Sequence, residues 1–172
     1  MFKKILVPLD GSQIAAEVLP KVVQLAAAMN AKVTLLHVCC SDVGEQIGET
    51  TPGVLQAVAA QEIRVSERFL AQTCKDLEAQ GLQADWVCRA GVPAREIIAY
   101  AQSNDYDLIA LGTHGKGEVA WNLGGVAERV AAHATVPVLL FRTLKLRPPM
   151  IKEKFGKILK EAELYLAWGL PR

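Results

Sequence analysis

The sequence predicts an α/β fold: an open, three-layer arrangement in which five mostly parallel strands carry helices on both faces, with a helical extension at the C-terminus. Three observations lead there. Short, nearly continuous apolar runs alternate along the chain with segments of helical periodicity, as expected when strands are buried on both faces and joined by crossover helices. The order of elements gives successive βαβ units, whose crossovers are right-handed. The 172 residues, 51% hydrophobic and 22% charged, suit one soluble globular domain with a real core.

Taken in order, Ile5–Leu9 (ILVPL), bounded by Lys4 and Asp10, is the first strand. Past Asp10, Gly11 and Ser12, apolar residues recur at threes and fours: Ile14, Val18, Val22, Leu25 and Met29. That spacing predicts one helix over residues 13–29, with Ser12 or Asp10 capping its start. Lys32–Cys40 (KVTLLHVCC) is rich in β-branched and apolar residues and is the second strand. Residues 41–53, with three glycines and a proline, are a loop. Helical periodicity returns at Val54, Val58, Ile63, Phe69, Leu70 and Leu77, with Gly81 as the stop.

Gln83–Arg89 (QADWVCR) is the third strand, and Gly91-Val92-Pro93 turns the chain into a helix over Pro93–Gln102 that buries Ile97, Ile98 and Ala101. Asp107–Leu111 (DLIAL) is the fourth strand, residues 124–134 the last domain helix, and Val136–Phe141 (VPVLLF) the fifth strand. Ligands of open α/β sheets sit beyond the carboxyl ends of the strands, where strand order reverses. Asp10, His37–Cys40 and Gly112 all fall on that edge.

The fourth strand runs into LGTHGKGEVAWNLGG, residues 111–125, in which Gly112, Gly115, Gly117, Gly124 and Gly125 cluster. Glycine weakens regular structure, so the cluster implies either positive φ or close approach of the backbone to something. Successive backbone N–H groups leading into a helix N-terminus make an anion site, which would place phosphate between the early glycines and the late pair. A simple tight turn is an equal reading of the loop alone. No GK[ST] follows the last glycine, so it is not a Walker loop.

Other classes are disfavoured. A net charge of +1 argues against a general nucleic-acid binder. The cysteines form no CxxC, and Cys39, Cys40 and Cys88 fall in strand-like runs as small core hydrophobes. His37, His114 and His133 are too scattered to suggest a metal site, and no nucleophile–base pair stands out. The start, MFKKILVPLD, is too short for a signal-peptide core or a membrane span, and the protein is read as cytoplasmic.

ILVPLDGS, LLHV, GVPAREII, DLIALGTHG, GGVAERV and TVPVLLF, in this order over residues 2–142, resemble the universal stress protein family. The resemblance implies a fold like that of the adenine nucleotide α-hydrolases, and often a homodimer formed through the last strand, here Val136–Phe141. The family divides into members that bind ATP and members that do not. Its binding pattern is Gly, two residues, Gly, nine residues, Gly, then Ser or Thr. Gly112, Gly115 and Gly125 match that spacing, but Val126 follows. Alternatively GGVAERV aligns with the usual GSVAERV, so that Gly124 is the glycine and Gly125 stands at the hydroxyl, with the loop one residue short.

Either way the hydroxyl is lost. Carried over onto matching positions, Asp10 would meet the ribose and adenine end, above Pro8 and Leu9, and the Val38 backbone would meet adenine. Gly112, His114, Gly115, Gly125 and Val126 would surround the phosphates, with Leu111 and Gly124 also part of the nucleotide site. ATP or AMP is the implied ligand, with magnesium beside Asp10 when the ligand is a triphosphate. Helix capping is an equal role for Asp10, and His114 is read as a loop-stabilising hydrogen bonder.

Residues 1–142 form the domain, with 12 basic and 15 acidic groups, net −3. Residues 143–172 carry 7 basic and 3 acidic groups, net +4. After Pro148-Pro149, the residues Ile151, Phe155, Ile158, Leu159, Ala162, Tyr165 and Leu166 share one helical face with lysines around it. Residues 150–168 are therefore expected to form a basic amphipathic helix that packs on this domain, a second copy or a protein partner, in preference to a membrane. The sequence thus reads as a nucleotide-responsive stress-response module, with a ligand-free dimeric scaffold and a slow ATP hydrolase as the alternatives.

Overall fold

The computed structural model describes residues 2–39, 52–114 and 124–143. Of the predicted loop over residues 41–53, residues 41–51 lie outside them, as do Cys40, Gly115, Gly117 and the extension from residue 144 onward, whereas Pro52 and Gly53 already belong to a helix. The strands are β1 (Lys4–Pro8), β2 (Lys32–Cys39), β3 (Ala84–Ala90), β4 (Leu108–Gly112) and β5 (Val138–Phe141). The helices are α1 (Gln13–Ala16), α2 (Leu19–Met29), α3 (Pro52–Glu78), α4 (Pro93–Ser103) and α5 (Gly125–His133). The five strands form one sheet in the order β3-β2-β1-β4-β5, and every pairing is parallel.

Period-two alternation divides the strand residues between two cores. Ile5, Val7, Val33 and Leu35 face Val18, Val22 and Ala26 of the α1–α2 segment and Leu70, Cys74 and Leu77 of α3. Leu6, Leu36, Ile109 and Leu111 face Ala94, Ile97 and Ala101 of α4 and Ala127 and Val130 of α5. Ile98, expected to be buried, is only partly so.

The single helix expected over residues 13–29 is two helices. Pro20 has no N–H for the carbonyl of Ala16, and its ring crowds that carbonyl. The chain therefore leaves α1 through a tighter turn, Val18 N–H to Ala15 O at 3.4 Å, and restarts with Val22 N–H to Val18 O at 3.0 Å. Asn30, in the left-handed conformation, closes α2 by donating its N–H to Ala26 and Ala27 carbonyls. Gly81, at φ +83°, makes the predicted turn after α3.

Proline also shortens the last strand, which begins at Val138 instead of Val136. Pro137 contributes only its carbonyl, which accepts from Ile109 N–H at 2.9 Å. Asp107, expected inside β4, lies just before it, and its carboxylate Oδ2 accepts the Lys3 and Lys4 amides at 2.6 and 2.9 Å. Those two bonds hold its carboxyl below the usual carboxylate range.

Cys39 and Cys74 are buried, Cys88 is half-buried, and no disulfide joins them. Burial pushes the Cys88 thiol up to about 11 and raises that of Cys74, which keeps both protonated as core groups. Among the described residues no helix is long and apolar enough to cross a membrane.

Candidate functional site

Strand order reverses between β1 and β4, because the chain builds outward from β1 on one side and then returns to lay β4 and β5 on the other. At the carboxyl ends of those strands, on the α4–α5 face, lies a cavity of about 370 Å³. That volume falls within the roughly 300–1,000 Å³ of small-molecule sites.

Each predicted site residue that the structure describes lines this cavity. Pro8, Leu9 and Asp10 come from the end of β1, and Val38 from β2. Leu111, Gly112 and His114 come from the end of β4, and Gly124, Gly125 and Val126 from the start of α5. Gly115 lies outside the described residues. Leu36, Pro93, Ile97 and Ala127 complete the apolar wall, joined by Ala15, His37 and Thr113. These were missed, although Leu36 follows from Val38 by the strand period and Ile97 from Pro93 by one helical turn.

The glycines answer to close approach. None of the described members of the cluster has positive φ. A Cβ on Gly112 would sit 2.8 Å from Cγ2 of Thr143 and 3.2 Å from the His114 carbonyl. One on Gly124 would sit 3.1 Å from the carbonyl oxygen of Thr113, to which the Gly124 N–H already donates at 2.8 Å. Gly125 differs: nothing lies within 4 Å of its added Cβ. The constrained glycine is thus Gly124, and the roomy position beside it is Gly125.

Gly124 is the N-cap of α5, and no side chain caps that end. The first helical bond is Glu128 N–H to Gly124 O at 2.9 Å. Backbone N–H groups of a first helical turn have no partner within the helix. Here the first three residues, Gly125, Val126 and Ala127, all line the cavity. With the helix dipole, this end favours an anion.

Asp10 is set by a local turn. Its Oδ1 accepts the Ser12 N–H at 2.9 Å and the Ser12 hydroxyl at 2.6 Å. Ser12 Oγ in turn accepts the Ala15 N–H at 3.1 Å, so Ser12 caps α1 and Asp10 orients the cap. His37 is buried, and its Nδ1–H donates to the Leu9 carbonyl at 2.8 Å, tying the ends of β1 and β2 together.

His114 belongs to a buried polar network. Its Nδ1 lies 3.0 Å from Thr113 Oγ1, and its backbone N–H donates to Thr143 Oγ1 at 3.3 Å. The two histidines that are far apart in sequence therefore reach one cavity. No group of three or more metal-ligating side chains forms among the described residues, so a magnesium ion here would rely on Asp10 and on ligand phosphates.

Comparison with known proteins adds four findings. A sequence profile described as the Universal stress protein family matches residues 1–142. Universal stress protein MJ0531 of Methanocaldococcus jannaschii is 32% identical over 146 residues, covering 84% of this chain and 85% of that protein. The solved structure of protein MJ0577 from the same organism superposes with a TM-score of 0.75 at 26% identity, covering 85% of this chain and 99% of the other. A universal stress protein from Archaeoglobus fulgidus, solved in complex with dAMP, shares the fold at 20% identity and a TM-score of 0.58, covering 81% of this chain and 97% of the other.

Proposed function

Because the chain belongs to the universal stress protein family, we propose that its cavity binds an adenine nucleotide and that the protein is a cytoplasmic, nucleotide-responsive regulatory module of a stress response. The observation that carries this reading is the meeting of Asp10, the Val38 backbone, Gly112 and the uncapped start of α5 around one cavity. The apolar wall of Leu36, Pro93 and Ile97 suits a purine ring. The backbone N–H groups of Gly125, Val126 and Ala127 suit phosphate oxygens. Asp10, near the end of β1, suits ribose hydroxyls. The dAMP complex of a protein with this fold is consistent with the assignment. A homodimer through Val136–Phe141 belongs to the same proposal, since β5 is an edge strand whose outer side has no strand paired to it among the described residues.

Calorimetric titration with ATP and AMP tests the reading, and saturable heat with at least one of them is the expected result. No heat at millimolar nucleotide would promote the ligand-free scaffold. Gly125→Ser sharpens the test, because the added side chain meets open space. A hydroxyl there would donate to a charged phosphate, an interaction of about 1.5–3 kcal/mol. ATP is expected to tighten about tenfold, with AMP little changed. Equal tightening of both would show that the hydroxyl does not reach the distal phosphates.

A further inference from the structure

None of the described residues that line the cavity is a lysine or arginine. A polyphosphate held there would meet backbone N–H groups at the start of α5 and, at Asp10, a carboxylate of its own sign. The strands set the order in which the parts of such a ligand would lie. Val38 comes from β2, Asp10 follows β1, and Gly112, Thr113 and His114 stand at the end of β4. The next strand outward is β5, and Arg142 directly follows it. Neighbouring strands lie about 4.8 Å apart, so the path from β2 to β5 spans roughly 14 Å.

The residues on either side of Arg142 are both tied down. The Phe141 carbonyl accepts the Thr113 N–H at 2.8 Å, which carries the β4–β5 ladder one step past the pair Gly112 and Phe141. Thr143 is buried, at 5% exposure. Its N–H donates to Thr113 Oγ1 at 3.4 Å, and its hydroxyl accepts from His114 N–H at 3.3 Å and donates to the His114 carbonyl at 3.4 Å. Phe141 packs into the core under α2. The Thr143 methyl lies on that same side, beside Val18, in the space that a side chain on Gly112 would need. Alternation therefore turns Arg142, between them, toward the α4–α5 face, as it does Val138 and Leu140. The cavity opens on that face, and Thr113, the neighbour of Arg142 across the ladder, lines it. Arg142 is exposed, and the two ion pairs among the described residues, Lys32–Asp85 and Arg89–Glu96, leave it uncommitted.

We propose that Arg142 completes the phosphate end of the cavity: its guanidinium, delivered from the end of β5, contacts the distal phosphates of a bound nucleotide and makes the site favour triphosphate over monophosphate. This rests on the nucleotide reading above. A guanidinium is a planar fork that grips phosphate oxygens in pairs, and it stays charged at any physiological pH. A monophosphate held by the α5 amides ends short of β5 and leaves that fork unused. Thr143 acts as a positioning residue, since its clamp on Thr113 and His114 holds the backbone that carries Arg142.

The test uses the full chain and Arg142→Gln, titrated calorimetrically with ATP and with AMP, with melting temperature as the folding control. The variant is expected to lose about tenfold or more in ATP affinity while AMP affinity stays essentially unchanged. Arg142→Lys keeps the charge without the fork and should recover part of the loss. Lys75→Gln removes the same charge from the exposed side of α3, across the sheet, and should leave both affinities alone. Thr143→Val keeps the shape and removes the hydroxyl, and should lower the same ATP-to-AMP ratio, a readout that a merely structural role would leave in place. A wild-type protein that binds nucleotide, with an affinity ratio that Arg142→Gln leaves unaltered or that Lys75→Gln lowers as much, overturns this inference alone. A wild-type protein that binds neither nucleotide overturns the parent reading with it.

Discussion

Leu6→Ala is expected to destabilise the protein by about 2–5 kcal/mol, a large share of the roughly 5–15 kcal/mol available to a domain. Leu6 is fully buried on the central strand and packs under both α4 and α5. The lost methyl and methylene contacts come with a cavity that the surrounding parallel strands cannot close, since β1 is held on each side by β2 and β4. At roughly 2–4 °C per kcal/mol for a chain of this size, the melting temperature should fall by about 10 °C. Val65→Ala is the comparison, because Val65 is 55% exposed on α3 and its loss should change stability by less than about 0.5 kcal/mol. Urea denaturation of both variants measures the contrast, and equal effects would mean that Leu6 is not the core residue its burial indicates.

Gly124→Val should abolish measurable nucleotide binding and lower stability by about 1–3 kcal/mol, while Gly125→Ala next to it should leave the fold intact or stabilise it by about 0.5–1 kcal/mol. The backbone angles of Gly124, φ −56° and ψ 142°, are open to any residue, so conformational strain is not the reason. The reason is space: even a Cβ would stand 3.1 Å from a backbone carbonyl, and the branched valine adds two more methyl groups at that contact. Relief requires the start of α5 to move away from Thr113, which takes with it the N–H groups facing the cavity. Gly125 has no such neighbour, and in the first turn of α5 alanine is the better helix former. Calorimetry with ATP and thermal melts of the two single variants decide it. A Gly124→Val protein that binds like wild type would show that these N–H groups do not hold the ligand.

Element types were legible wherever side-chain periodicity was long enough to overrule local signals. The strand ends were less so, because proline changes hydrogen bonding without changing hydropathy: Pro137 belongs to an apolar run yet lacks the donor a ladder needs, and Pro20 sits in a helical pattern it interrupts. For the site, strand ends and the glycine cluster pointed to one sheet edge, where the structure gathers those residues. What periodicity could not supply was the division of labour between two adjacent glycines. That division depends on the carbonyl of Thr113, a contact made across the cavity rim that periodicity does not report, and in the sequence it stood only as one of two alignments, the one that matches GGVAERV to the usual GSVAERV. The network through Thr143 was invisible for the same reason, since it joins residues 29 and 30 positions apart.

The ladder between β1 and β4 records only two residue pairs, Ile5 with Leu108 and Leu6 with Ile109, against five between β1 and β2 and seven between β2 and β3. Above Leu6 the first strand keeps faith with β2, as the Leu9 N–H to Leu36 O bond of 2.8 Å shows, and the crevice opens where its other side lets go. The sheet is therefore two plates stitched along a short hem. The Pro52–Glu78 helix packs on β2 and β3 and the Gly125–His133 helix on β5, while α4 links β3 to β4 across the hem, so the two plates have the makings of partly separate cooperative units of opening. A molecule wedged in the crevice touches both plates at once and converts part of that hem into a continuous join. Native-state hydrogen exchange at saturating ligand should register this as a merging of two classes of amide protection into one.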